Sequence, residues 1–266
     1  MSFLTIGRKT CQIWQSTVQS SVLATGNSES AGIIHGFWTG GSAIDIMGDM
    51  KPLLTVPDLK KAAAAFAKSE SRHGEPTIFG VTDGKAARTY LEHKFLQYLD
   101  HRCRFGPGNS AKGIDLPGAN VDIKTTSIRQ PQSSCPYKSA RQKIFGLGYS
   151  LLIFVYDKSD DQAARTARLD IQHVIFVEAG QTADYQMTFG LNAILDSNGN
   201  EDDLVAFMLD RLLPVDEIEA GKIAKEILKS RPRVGYLTIS NALQWRLQYS
   251  RVIEQAGSVK GVERIR

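Results

Sequence analysis

The stretch Gly113-Ile-Asp-Leu-Pro-Gly-Ala-Asn-Val-Asp-Ile-Lys124 decides the reading of this chain. Pro117-Gly118-Ala119-Asn120 is a turn, and Val121 to Lys124 begins a strand, so the segment reads as a tight β-hairpin. Side chains alternate faces along a strand, so Asp122 and Lys124 point the same way and Ile123 is buried on the other side. One two-residue step is about 6.6 Å, which sets the ammonium beside whatever ion the aspartate binds. Asp115, on the other arm, brings a second carboxylate to the same sheet edge. Two converging carboxylates are costly unless a divalent cation neutralises them. Mg²⁺ is the hard-oxygen candidate, held by one or two carboxylates and completed by water and phosphate.

That chemistry suits phosphodiester hydrolysis. Asp-x-Lys on a strand also arises by chance as an ordinary ion pair on a solvated edge, which stabilises little; the surrounding segments separate the two. Gly84-Lys-Ala-Ala-Arg-Thr-Tyr-Leu-Glu-His-Lys-Phe-Leu-Gln-Tyr-Leu99 is an amphipathic helix with Glu92 at its middle. After the strand, Thr125-Thr-Ser-Ile-Arg-Gln-Pro-Gln-Ser-Ser134 is a loop full of hydrogen-bonding side chains, among them Arg129, Gln130, Gln132, Ser133 and Ser134. These either contact bases or satisfy loop backbone. Lys138, Arg141 and Lys143 follow on a short helix, Tyr137 to Gly146, as candidate phosphate contacts.

An Asp, a turn, then Asp-x-Lys, with a helix before and an apolar strand after, resembles the PD-(D/E)xK nuclease core, the superfamily of most type II restriction endonucleases. The resemblance covers about residues 80 to 178. It departs from the pattern in that Pro117 follows Asp115 instead of preceding it, and the two carboxylates are close in sequence. The resemblance implies an α/β fold with a mixed central sheet flanked by helices and Mg²⁺-dependent cleavage of a short specific sequence in double-stranded DNA. It further implies Asp115 and Asp122 as metal ligands with the Ile123 carbonyl, Glu92 binding or orienting a metal water, and Lys124 orienting the attacking water. A homodimer matched to a two-fold site and a cognate methyltransferase in the host are also implied.

Composition agrees without deciding. The chain has 266 residues, 42% hydrophobic and 23% charged, with net charge +4, as an ordinary soluble globular protein does. No apolar run spans a membrane, and Met1 to Lys9 lacks a signal peptide's order. Cys11, Cys103 and Cys135 suggest reduced thiols in a cytoplasm. The five histidines show no zinc-ligand spacing.

Coarse organisation follows. The expected divisions are a helical and loop segment (1–76), a catalytic core (77–200) and a basic helical segment (201–266). Pro57 to Lys68 is a helix with Asp58 in its first turn. Ser69 to Pro76 reads as a linker and Thr77 to Val81 as a short apolar run. Leu151 to Tyr156 and Ile171 to Val177 are continuous apolar strands, expected to be covered by helices on both faces, with an exposed charged segment between them. Asp202 to Leu212 and Asp216 to Lys229 are amphipathic helices, the second capped by Asp216.

Arg231 to Ile253 then reads as a turn and a second helix capped by Ser240 and ended by Gly257. Its Asn241, Gln244, Arg246 and Gln248 are of the type that reads base edges, and Arg231 and Arg233 suit phosphates. This looks like a helix-turn-helix or a winged helix with its wing at Val259 to Ile265; the alternative is a helix pair closing the core over Trp245 and Tyr249. Two other functions remain open at this level: a structure-selective nuclease of the same superfamily, and a DNA-binding regulator whose Asp-x-Lys is accidental.

Overall fold

In the computed structural model, helix α1 (Val56–Glu70) starts at Thr55, whose hydroxyl accepts from the Asp58 amide, and it takes in Ser69 and Glu70 of the expected linker. Strand β1 (Gly74–Glu75) follows, then a single 3₁₀ turn (Pro76–Ile78) where an apolar run was expected. The structure describes residues 51–106, 114–136, 138–240 and 245–266. Helix α2 (Gly84–Asp100) is capped by Asp83. A 3₁₀ turn (Pro117–Ala119) leads to β2 (Val121–Ser127), then come β3 (Gln132–Cys135) and α3 (Gln142–Phe145). Strands β4 (Ser150–Asp161) and β5 (Thr166–Val177) form one long hairpin, so the charged stretch expected as a separate segment is the far end of two strands.

The chain continues with α4 (Tyr185–Asp196), α5 (Glu201–Asp210) and α6 (Glu217–Lys229), the last capped by Asp216 as its sequence indicates. Strands β6 (Thr238–Ile239) and β7 (Trp245–Gln248), helix α7 (Ser250–Gln255) and β8 (Val262–Arg264) complete it.

The main sheet is mixed. β2 is its edge strand and runs parallel to β4; β4 pairs antiparallel with β5, which pairs with β1 at one end and β8 at the other. Strict alternation along β4 sends Leu152, Phe154 and Tyr156 to one face, and Leu151, Ile153 and Val155 to the opposite one. The first face packs on α1 and α2 through Leu59, Phe66, Leu91 and Phe95. The second face packs not on helices, as expected, but on a three-stranded antiparallel sheet, β3-β7-β6, through Cys135, Ile239, Trp245 and Leu247. A separate apolar cluster joins α3, α4, α5 and α6.

Of the second helix expected between Ser240 and Gly257, Trp245–Gln248 is strand β7 and Ser250–Gln255 is the short helix α7. Trp245, Leu247 and Tyr249 are buried, while Arg246 and Gln248 between them are exposed, which is a half-buried strand. The expected wing is β8, an added strand of the main sheet. Trp245 and Tyr249 are packed inside, as the alternative reading had them. Asn241 and Gln244 lie outside the described residues.

Candidate active site

Strand β2 has a neighbour on one side only, so its outward backbone groups need other partners. The turn before it supplies them. Asn120 adopts the left-handed conformation (φ 53°), and the chain folds back so that the Val121 amide donates to the Leu116 carbonyl at 3.2 Å. One step further back, Asp115 Oδ2 accepts from the Ile123 amide at 2.9 Å. The first carboxylate is thereby fixed beside the strand that carries the second.

Val121 and Ile123 point into the core beneath α1 and α2, and Asp122 and Lys124 point the other way. The expected exposed edge is not what surrounds them: Asp122 is only 2% exposed. Lys124 Nζ lies 2.7 Å from Asp122 Oδ2. The ammonium is the partner of that buried oxygen. Burial pushes the Asp122 carboxyl up to about 7; Lys124 opposes the rise, and the adjoining Asp115 carboxylate adds to it. Burial works against the Lys124 ammonium too, but Asp122, Asp115 and Glu92 more than offset it and hold its pKa above the ordinary value.

Glu92 reaches the same place from α2. Its Oε1 accepts from Thr125 Oγ1 at 3.1 Å, and burial raises its pKa, with Thr125 and Lys124 opposing. Four ionisable groups from two elements and a turn therefore feel one another: Asp115, Asp122, Lys124 and Glu92. Two adjoining carboxylates, one of them buried, fit a hard divalent cation. Among the described residues no three His, Cys, Asp or Glu side chains are grouped to hold an ion by themselves. The remaining ligands of such an ion would be the Ile123 carbonyl, water and substrate oxygens.

Two clefts open beside this cluster. One, of ≈ 420 Å³, is lined by Lys85, Arg88, Glu92, Lys124 and Ser134 among others. The second, of ≈ 360 Å³, shares Lys85, Arg88, Ser133 and Ser134, and adds Gln130, Gln132 and Arg246. Five expected DNA contacts from two distant parts of the chain thus meet, because β3 and β7 pair with Ser134 opposite Arg246. Lys85 and Arg88 were missed at the sequence level. Their signal is the spacing Lys85, Arg88, Glu92, which puts all three on one side of a helix.

Other expected contacts lie elsewhere. Arg129 is exposed and paired with Asp157 at 3.2 Å. Among the described residues of the expected Tyr137–Gly146 helix, Gln142 to Phe145 is helical and Lys138 is exposed before it; Tyr137 lies outside them. Arg141 is bound by both carboxylate oxygens of Glu226. Lys143 is buried, and burial lowers its pKa despite Asp184 nearby. Arg231 pairs with Asp196 at 2.7 Å, Arg233 lies against Gly180, and Gln248 is on the exposed face of β7.

A family model described as Type II restriction enzyme NspV matches residues 53–264. The type II restriction enzyme NspV of Nostoc sp. is 64% identical over 210 residues, an alignment covering 79% of this chain and 96% of that protein. No solved structure matches the chain.

Proposed function

Because the chain belongs to the family of the type II restriction enzyme NspV, we propose that it cuts double-stranded DNA at a short specific sequence by divalent-cation-dependent hydrolysis on the free edge of β2. The observation that carries the site is the buried Asp122 carboxylate, 2.7 Å from the Lys124 ammonium and adjoined by the Asp115 carboxylate. Family membership removes the grounds for a regulator or a nuclease selective for structure alone.

In this reading the core is of the PD-(D/E)xK kind, and Asp115, Asp122 and the Ile123 carbonyl hold Mg²⁺. A bound divalent cation supplies charge neutralisation at the phosphoryl group and a more acidic water. The chain's own residues do the rest. The Ile123 amide donates to Asp115 on the free edge of β2, and because a residue's N–H and C=O point to the same side of a strand, the Ile123 carbonyl faces that edge too. Lys124, held in its ammonium form by three carboxylates, orients the attacking water and stabilises negative charge on the phosphate. Glu92, whose pKa burial raises, binds or orients a metal water.

Gln130, Gln132, Ser134 and Arg246 face the duplex from the cleft, while the buried Ser133 hydroxyl is bonded to that of Tyr249; a two-stranded ribbon such as β3-β7 is of a size that a major groove admits. Arg141, Lys143, Arg231 and Arg233 are assigned to holding the protein together. The enzyme acts as a homodimer on a two-fold site, in a cytoplasm where a methyltransferase protects the host's own copies. Among the described residues no helix is long and apolar enough to cross a membrane.

Incubating plasmid DNA with and without Mg²⁺ and sequencing the ends tests this. Discrete Mg²⁺-dependent fragments sharing one short motif at every end support it. Equal cutting in chelator, or ends without a common motif, would refute it.

A further inference from the structure

We propose that Thr126 is a positioning residue that registers a base-reading turn, Ser127 to Gln132, onto the cleavage strand, and that Gln130 and Gln132 are the side chains by which this turn selects the sequence cut. This rests on the reading of β2 as the cleavage strand.

Asp122, Lys124 and Thr126 occupy alternate positions of β2 and so share a face. Thr126 is 1% exposed, and every hydrogen bond of its hydroxyl goes to the turn. Oγ1 accepts from the Gln132 amide at 2.9 Å, and its single proton is shared between the Gln130 and Gln132 carbonyls at 3.2 Å each. The turn closes on itself, the Gln130 amide donating to the Ser127 carbonyl at 3.3 Å, and is fastened from two other directions. The Ile128 amide donates to the Tyr156 carbonyl on β4 at 2.8 Å. The Tyr249 amide, just past β7, donates to the Pro131 carbonyl at 2.8 Å.

Against this fixed backbone, the side-chain amides of Gln130 and Gln132 make no hydrogen bond among the described residues, and both line the cleft that Lys85, Arg88 and Arg246 make basic. A glutamine that serves a loop's structure spends its amide on the loop. Here the backbone is satisfied without it, and two donor–acceptor pairs are left facing a groove one step from Lys124. Free amides on a rigid frame suit the paired donor and acceptor on an adenine edge, or other base edges of a duplex. Because the frame is bonded to the strand of the cleavage centre, a misfit at the bases displaces that strand. Discrimination then appears in the cleavage rate.

The test uses duplexes carrying the sequence found at the cut ends, and their single-base variants. Thr126→Val keeps the shape and removes all three bonds. It is expected to lower the ratio of cleavage rates, cut sequence over variants, by roughly tenfold to a hundredfold, and Thr126→Ser to restore it. An unchanged ratio, or an equal loss on every duplex, overturns the proposal, since a structural threonine would give either. Should Thr126→Val fail to fold, Gln130→Ala and Gln132→Ala decide the matter, because both side chains are free. Loss of discrimination in either supports the proposal, and full discrimination in both overturns it. Failure of the cleavage-centre reading shows separately, as an Asp122→Asn enzyme that cuts normally.

Discussion

Asp122 makes the protein's stability depend on pH in a direction opposite to that of most aspartates. Its carboxyl is raised from 3.8 to about 7, chiefly by burial. The folded state therefore holds its proton more tightly than the unfolded chain does. Below pH ~4 both states are protonated and nothing is lost. Between ~4 and ~7 the unfolded chain ionises first, so stability falls as pH rises, and above ~7 the loss is complete. Three pKa units correspond to about 4 kcal/mol in full, of which about 2 kcal/mol is already lost at pH 5. Asp122→Asn carries no titrating group. Without divalent cations it is therefore expected to gain on the wild type by about 2–3 kcal/mol between pH 5 and pH 8, whatever fixed offset Lys124 adds by losing its partner. Urea unfolding of both proteins in chelator at the two pH values measures this. Mg²⁺ at pH 8 is expected to stabilise the wild type and leave the variant unmoved. A difference between the two proteins that is the same at both pH values would refute the reasoning.

Three further outcomes are expected. Lys124→Met lowers the cleavage rate by about 10²–10⁴ with DNA binding retained, and Lys124→Arg does not rescue it, because a planar fork cannot replace a point charge here; rapid-quench cleavage beside a gel-shift assay reads both. Glu92→Gln keeps a group able to accept from Thr125 but loses the charge, and raises the Mg²⁺ concentration needed for half-maximal cleavage by roughly tenfold, measured by titrating the metal. Asp184→Ala, which loses the α4 cap to Met187 and the bond from the Ile239 amide, destabilises the protein by about 2–4 kcal/mol; a denaturation midpoint with unchanged slope checks it.

What was legible in the sequence is what local periodicity encodes. The alternation at Val121-Asp-Ile-Lys124, the helix around Glu92, the apolar runs of β4 and β5 and the Asp216 cap each follow from residues within one or two turns of chain. The C-terminal strands were also written locally, since Trp245-Arg-Leu-Gln-Tyr249 alternates apolar and polar, but Ala242, Leu243 and Leu247 offered a competing helical spacing. Burial against the main sheet favours the alternating pattern. Helix α4 was hidden by Gly190, whose role is long-range: a Cβ there would sit 2.1 Å from the ring of Phe207 on α5, so the glycine lets that ring lie against α4. Distance hid the fate of Arg141 in the same way, its partner Glu226 being 85 residues on. The meeting of Arg246 with Ser134 needed the pairing of β3 with β7, which no window of sequence contains.

The central claim, that the free edge of β2 is the cleavage centre, is tested most directly by single-turnover cleavage of a plasmid by Asp122→Asn at saturating enzyme with Mg²⁺, alongside its affinity for the same DNA. The account predicts cleavage reduced by about 10³ or more, with binding as tight as the wild type's. Cutting at the wild-type rate would place the centre elsewhere in the chain.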